Sequence, residues 1–141
     1  MLNMSKDFEI VKADTNTTAG TTDTITSDAV EVAGAQSVLC IVDLGTITAN
    51  GTATLQVTEC DTSNGSYTDI TGATAAAADD DDDTYLAVEV VKPKQRYIKI
   101  DCDRATANVV LGGMYAIVSK RKQAPITQGA TAAAAPAVVL G

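Results

Sequence analysis

An alternation of apolar and polar residues with a period of two constrains this chain more than any other feature. Across Thr52-Ala53-Thr54-Leu55-Gln56-Val57-Thr58-Glu59, the residues Ala53, Leu55 and Val57 fall on one side, and Thr52, Thr54, Gln56 and Thr58 on the other. Successive side chains of a strand point to opposite faces, so this spacing buries one clean face as a strand and scatters its apolar groups as a helix. The same pattern sets Leu86, Val88 and Val90 against Tyr85, Ala87 and Glu89, and Ile98, Ile100 and Cys102 against Tyr97, Lys99 and Asp101. Threonine suits such segments because its branched Cβ fits a pleated surface. Residues 38–44 and 109–118 are more continuously apolar, which predicts central strands covered on both sides.

Turn residues separate these runs. Asn50-Gly51 stands between Thr46-Ile47-Thr48 and the Thr52 strand, a placement that predicts a hairpin. Asn64-Gly65 divides the Thr52–Cys60 run from Tyr67-Thr68-Asp69-Ile70, Pro93 breaks the chain between the Leu86 and Tyr97 runs, and Gly112-Gly113 marks a bulge or bend. Ala73 to Ala78 holds helix-favouring alanines but is bracketed by Gly72 and five aspartates, so it reads as a loop, and no segment predicts a helix. The expected fold is all-β: a single β-sandwich or jelly-roll-like domain over residues 1–122, with about eight or nine strands. Residues 14–28, rich in Thr, Asp and Gly with only Ile25 to bury, read as an irregular N-terminal segment. Residues 123–141, with Pro125, Gly129, an alanine run, Pro136 and an apolar tip, read as an extended low-complexity C-terminal arm.

The 141 residues fit one domain whose core must be built from small parts. Hydrophobic residues make up 45% of the chain but aromatics only 4%, with one Phe and no Trp. Ala, Val, Ile and Leu must fill the interior, and a core this poor in large side chains points to support from a partner or a second copy, as a dimer or trimer. The formal charge of −8, with no basic stripe to offset it, argues against nucleic acid and against an acidic membrane surface. Cys40, Cys60 and Cys102 are odd in number and widely spaced, unlike a zinc pattern or a disulfide framework. Cys40 lies in Val38-Leu39-Cys40-Ile41-Val42 and Cys102 alternates with Ile98 and Ile100, so both read as small buried hydrophobes. The N-terminal residues lack a signal-peptide core and no run reaches the ~20 apolar residues of a membrane span, so the expectation is a soluble protein made in a cytoplasm.

The chain contains no histidine, which removes the commonest general base, the Ser-His and Cys-His nucleophile systems and the commonest metal ligand. No phosphate-cradling glycine loop occurs either. The expectation is a protein without catalytic residues, cofactor or small-molecule substrate. Asp79, Asp80, Asp81, Asp82 and Asp83 form the one candidate cation site, since hard cations take carboxylate oxygens. Their consecutive spacing argues instead for a solvated, self-repelling loop, or for an acidic loop that meets a basic patch on a partner. Asp61 with Asp69, and Asp101 with Asp103, are conceivable carboxylate pairs for glycoside hydrolysis, but few aromatics are available to stack a sugar. Positive charge gathers late, at Lys92, Lys94, Arg96 and Lys99 and again at Lys120, Arg121 and Lys122. A chain acidic in its middle and basic toward its end suits contacts between neighbours in an assembly. The partner-contact candidates are Lys120, Arg121, Lys122, Pro125, Val138, Val139 and Leu140.

Residues 79–128 carry a further signal. The five aspartates are followed by Tyr85-Leu86-Ala87-Val88-Glu89-Val90-Val91-Lys92-Pro93-Lys94-Gln95-Arg96-Tyr97, then Arg104-Ala105-Thr106-Ala107-Asn108, Gly112-Gly113, and Lys120-Arg121-Lys122 with Pro125. This order resembles a family of small structural proteins of tailed bacteriophages, similar to capsid cement or decoration proteins. The resemblance implies a β-sandwich or jelly-roll subunit on the capsid exterior of the virion that binds the assembled head and bridges major capsid proteins, and it carries over no catalytic residue. A glycan-binding or adhesin-like β-module on the virion surface, or a head-completion or tail structural protein, fits the same residues. Arg96 and Tyr97, inside a strand-like segment, read as internal: Arg96 pairing with a nearby carboxylate, Tyr97 capping a sheet edge.

Overall fold

The computed structural model describes residues 4–15 and 17–119. The chain forms two antiparallel sheets packed face to face, the β-sandwich that the alternation implied. A single helical turn, α1 (Met4–Asp7), precedes ten strands: β1 (Phe8–Asp14), β2 (Thr17–Gly20), β3 (Asp23–Thr26), β4 (Val30–Glu31), β5 (Ser37–Ile47), β6 (Thr52–Cys60), β7 (Thr68–Ala77), β8 (Tyr85–Val91), β9 (Tyr97–Ala105) and β10 (Val109–Ser119). The first sheet runs β1-β10-β5-β8, with β2 also on β10; the second runs β3-β9-β6-β7, with β4 also on β9.

Every long strand buries alternate residues. The fully enclosed side chains include Leu55, Ile98, Ile100, Leu111, Met114, Val38 and Val42. Among the described residues the core is aliphatic and sulfur-bearing throughout, with Cys40 and Cys102 each 0% exposed. Both cysteines are the small buried hydrophobes their positions implied, and burial pushes each thiol up to about 12.

Four local expectations need correction. Asn50-Gly51 does not close a hairpin: β5 and β6 lie in different sheets, and the turn carries the chain round the end of the sandwich. Asn50 takes the left-handed conformation (φ 66°), which Asn tolerates; the turn chemistry was legible, but which sheet receives the next strand is not a local property. The Ala73–Ala78 stretch is not a loop. All but its last residue forms the second half of β7, where Ala75 pairs with Leu55 and Ala77 with Ala53. Pairing to β6 overrides the helical preference of alanine there. Residues 14–28 are not irregular: β2 docks on β10 and β3 on β9, so this short segment crosses from the first sheet to the second. Finally, β5 and β10 are central strands but, among the described residues, are enclosed on one side only. Leu39, Ile41, Tyr115 and Ile117 lie on the outer side and stay half-buried.

Gly112-Gly113 does mark a bulge. The register of β10 against β5 slips between Leu111 and Gly113, and Gly113 adopts φ 136°, a conformation that side chains with a Cβ rarely take.

Candidate interaction surfaces

The two outer faces of the sandwich differ in chemistry. On the first sheet, register places Ile10, Ile117, Leu39 and Glu89 in one row across β1, β10, β5 and β8. The next row reads Lys12, Tyr115, Ile41 and Ala87. Tyr85 and Val91 at the ends of β8 are 68% and 66% exposed, and Ile10 is 46% exposed. The outside of this sheet is therefore an apolar belt with a few charges at its margins. A belt of large apolar residues on an outer sheet face marks an interaction surface more often than it marks ordinary exterior.

The outer face of the second sheet is polar and tied down. Thr24 Oγ1 donates to Asp103 Oδ1. Gln56 Nε2 donates to the Val57 and Ile70 carbonyls at 2.8 and 3.1 Å, and Thr74 Oγ1 to the Leu55 carbonyl at 2.8 Å. Lys99 Nζ sits 4.7 Å from the centre of the Tyr67 ring. Thr58 Oγ1 and Asp101 Oδ1 on this side are buried without a hydrogen-bond partner. Asp101 and Asp103, the conceivable carboxylate pair, thus share a face, but Asp103 is occupied by Thr24. Asp61 and Asp69 are engaged separately: Asp61 lies beside the Gln95 side-chain amide, and Asp69 lines a groove with Glu59.

That groove, of about 240 Å³, opens where β7 and β8 approach, and Ile70, Thr71, Val90, Val91, Lys92, Pro93 and Lys94 complete its wall. Two lysines face two carboxylates there, with the Thr71 hydroxyl on the same wall.

Three of the five aspartates are spent on architecture. Asp79 Oδ2 accepts from the Asn50 amide at 2.6 Å, Asp81 Oδ2 from the Ala78 amide at 2.9 Å, and Asp82 Oδ1 from the Ile47 amide at 2.5 Å. Two of these bonds fasten the β7–β8 loop onto the end of β5 and the turn that follows it, and the third closes the loop on itself. Among the described residues no group of three or more Cys, Asp or Glu side chains converges to hold a metal ion. The basic candidates Lys120, Arg121 and Lys122, with Pro125, Val138, Val139 and Leu140, lie outside the described residues.

Arg96 pairs with Glu31 at 2.9 Å, as expected of an internal partner, and its guanidinium stands 5.2 Å from the Tyr97 ring. The pair joins β4 to the start of β9, and both side chains remain about half exposed. The stronger arginine site escaped the sequence reading. Arg104, inside the Arg-Ala-Thr-Ala-Asn stretch, is 5% exposed. Its Nε and Nη2 reach the two carboxylate oxygens of Asp23 at 2.7 and 2.5 Å, while Nη1 donates to the Thr18 and Val109 carbonyls, each at 2.8 Å. One side chain thereby holds β2, β3, β9 and β10 together at the end of the sandwich. The usable signal was its parity: Arg104 continues the inward series Ile98, Ile100, Cys102, a position where a charge demands a partner.

No protein-family model matches the chain, and no curated protein matches it in sequence. Among solved structures, the PBSX exported protein XepA aligns with all of this chain at a TM-score of 0.55 and 16% identity. The chain spans 45% of the length of XepA. The CBM22-1 and GH10 modules of the Clostridium thermocellum xylanase Xyn10B, solved with xylohexaose, align with 97% of this chain and 29% of theirs at 16% identity and a TM-score of 0.45. The first likeness shows the sandwich fold; the second is too distant to carry weight.

Proposed function

We propose that this chain is a non-enzymatic virion structural protein, a cement or decoration subunit that binds the assembled head of a tailed phage and bridges its major capsid proteins. The observation that carries the reading is the unequal chemistry of the two outer faces. An apolar belt on one sheet and a threonine- and aspartate-rich opposite face suit a subunit seated on a large partner by one side and wetted on the other. The resemblance of residues 79–128 to capsid cement and decoration proteins supplies the identity of that partner. A clamp that binds only the assembled shell stabilises it by mass action.

Co-sedimentation with empty capsids tests the proposal. The protein is expected to pellet with capsids, and Ile41→Lys together with Ile117→Lys on the apolar belt is expected to abolish binding, whereas Thr54→Lys on the polar face leaves it unchanged. Binding that survives the belt substitutions and fails with Thr54→Lys would place the contact on the wrong face and sink the reading.

A glycan-binding role is the second reading. It is favoured by Tyr67 and Tyr97, two rings on the polar side of the sandwich, since a sugar needs an aromatic surface to stack on. A glycan array probed with the full chain and with Tyr67→Ala separates the two: retention of a defined glycan by the first and its loss by the second supports this reading.

A further inference from the structure

Sheet edges attract other strands, and proteins normally blunt them with bulges, short strands, Lys or Pro. Three of the four edges here are blunted. The first sheet's β1/β2 edge is split into two strands, carries Lys12 and slips register between Lys12 and Asp14. The β3/β4 edge consists of strands of four and two residues. On β7, the pairing slips between Gln56 and Thr58, and Gly72 takes φ 80°. The fourth edge, β8, has none of these devices. Its seven residues pair with β5 in unbroken register from Ser37–Val91 to Asp43–Tyr85, and it contains neither Lys nor Pro.

The backbone direction of β8 follows from its ends. The Leu44 amide donates to the Thr84 carbonyl at 2.9 Å, and the Lys92 amide donates to the Gln36 carbonyl at 2.7 Å. Backbone groups of alternate residues point to opposite sides of a strand. Even-numbered residues of β8 therefore bond to β5, and Tyr85, Ala87, Glu89 and Val91 direct their N–H and C=O groups outward.

We propose that β8 is a self-complementary edge, through which two copies of this chain join antiparallel about a two-fold axis at Val88 and fuse their first sheets into one. This register sets Tyr85 opposite Val91 of the second copy and Ala87 opposite Glu89. It is the one register that satisfies all four outward residues at once. Sliding by one residue pair toward the C-terminal end sets Glu89 against Glu89 and leaves Tyr85 unpaired; sliding the other way leaves Val91 unpaired. In the proposed register Glu89 faces Ala87, so no like charges oppose, and the two most exposed apolar residues of the strand become an aromatic–β-branched cross-strand pair. On the inner side, Val88 meets Val88. Val88 points toward the core yet is half-buried, between Leu86 and Val90 at 9% exposure, and the second copy supplies the cover it lacks. The dimer stands independently of the virion reading.

Analytical ultracentrifugation of the full chain is expected to show a concentration-dependent dimer. In a Cys40→Ala, Cys60→Ser background, which removes the thiol that lies across from Val88 on β5, Val88→Cys is expected to form an intermolecular disulfide under mild oxidation, and Ala87→Cys, displaced from its own copy, to cross-link far more slowly. Tyr85→Lys with Val91→Lys, both at exposed positions, should raise the dissociation constant at least tenfold while the melting temperature of the monomer is retained. A monomer at every concentration overturns the proposal. So does a dimer that withstands the lysine pair and leaves the Val88→Cys variant unlinked, because the copies then meet elsewhere.

Discussion

Asp23 and Arg104 form a two-pronged ion pair, Nε to Oδ1 at 2.7 Å and Nη2 to Oδ2 at 2.5 Å, that locks β3 onto β9 where the N-terminal segment crosses between the sheets. The arginine is enclosed (side chain 4% exposed) and the aspartate is not (43%). The pair thus works by neutralising and orienting a cation that the core would otherwise reject.

Arg104→Met should lower stability by about 3 kcal/mol, because it frees the Thr18 and Val109 carbonyls as well as Asp23. Gly20 stacks directly on the guanidinium, and a Cβ there would meet its Nη2 and Cζ atoms. Gly20→Ala should therefore cost about 1–3 kcal/mol in the native chain and far less beside Arg104→Met. Additive losses in a urea-denaturation cycle would show that the two positions do not share one site.

The same pair sets an acid limit. Hydrogen bonding from Arg104 holds the Asp23 carboxyl below its ordinary 3.8. A depressed folded-state value adds stability that is complete above the unfolded value and is lost as pH falls from there through the folded value. Asp23→Asn should melt below the native protein at pH 7, and the gap between them should close as pH drops below 3.8. A gap that stays constant down to about pH 2 would refute this.

Thiol chemistry should be selective. Cys40 and Cys102 are buried with thiols raised to about 12, whereas Cys60 is partly accessible. A disulfide-exchange reagent at about pH 8 should label Cys60 alone in the native protein and all three cysteines in denaturant. Rapid native labelling of Cys40 would contradict the packing described.

Inner and outer faces of the first sheet should respond differently to truncation. Val42→Ala, at 0% exposure, should cost about 2–3 kcal/mol through lost burial and a residual cavity. Ile41→Ala, its neighbour on the apolar belt, should cost the isolated chain less than about 1.5 kcal/mol, yet weaken capsid attachment if the proposed function holds.

The aspartate loop should behave as a clamp. Asp82→Ala removes an acceptor from the end of β5 and Asp79→Ala one from the turn that follows it, and each should lower stability by about 1 kcal/mol. Melting temperature should be the same with calcium and with a chelator. A calcium-dependent rise that Asp82→Ala removes would restore the cation site.

Much of this protein was legible before folding. Alternation in Ala53-Leu55-Val57 and in Ile98-Ile100-Cys102 determined the strands and their inward faces, because a period of two permits one buried side. It likewise placed Cys40 and Cys102 in the core, and the glycine pair at 112–113 announced its bulge. The tertiary structure decided what those strands met. Asn50-Gly51 looks alike whether the next strand joins the same sheet or the opposite one, and the alanine-rich stretch 73–77 became a strand only because β6 lay beside it. Arg104 gained its meaning from Asp23, 81 residues away. The outer apolar residues of β5 and β10 became a surface only once none of the described residues closed over them as a third layer. Local pattern fixes which side of a strand avoids water; pairing partners and open edges are set by contacts between distant segments, and these exist only in the folded chain.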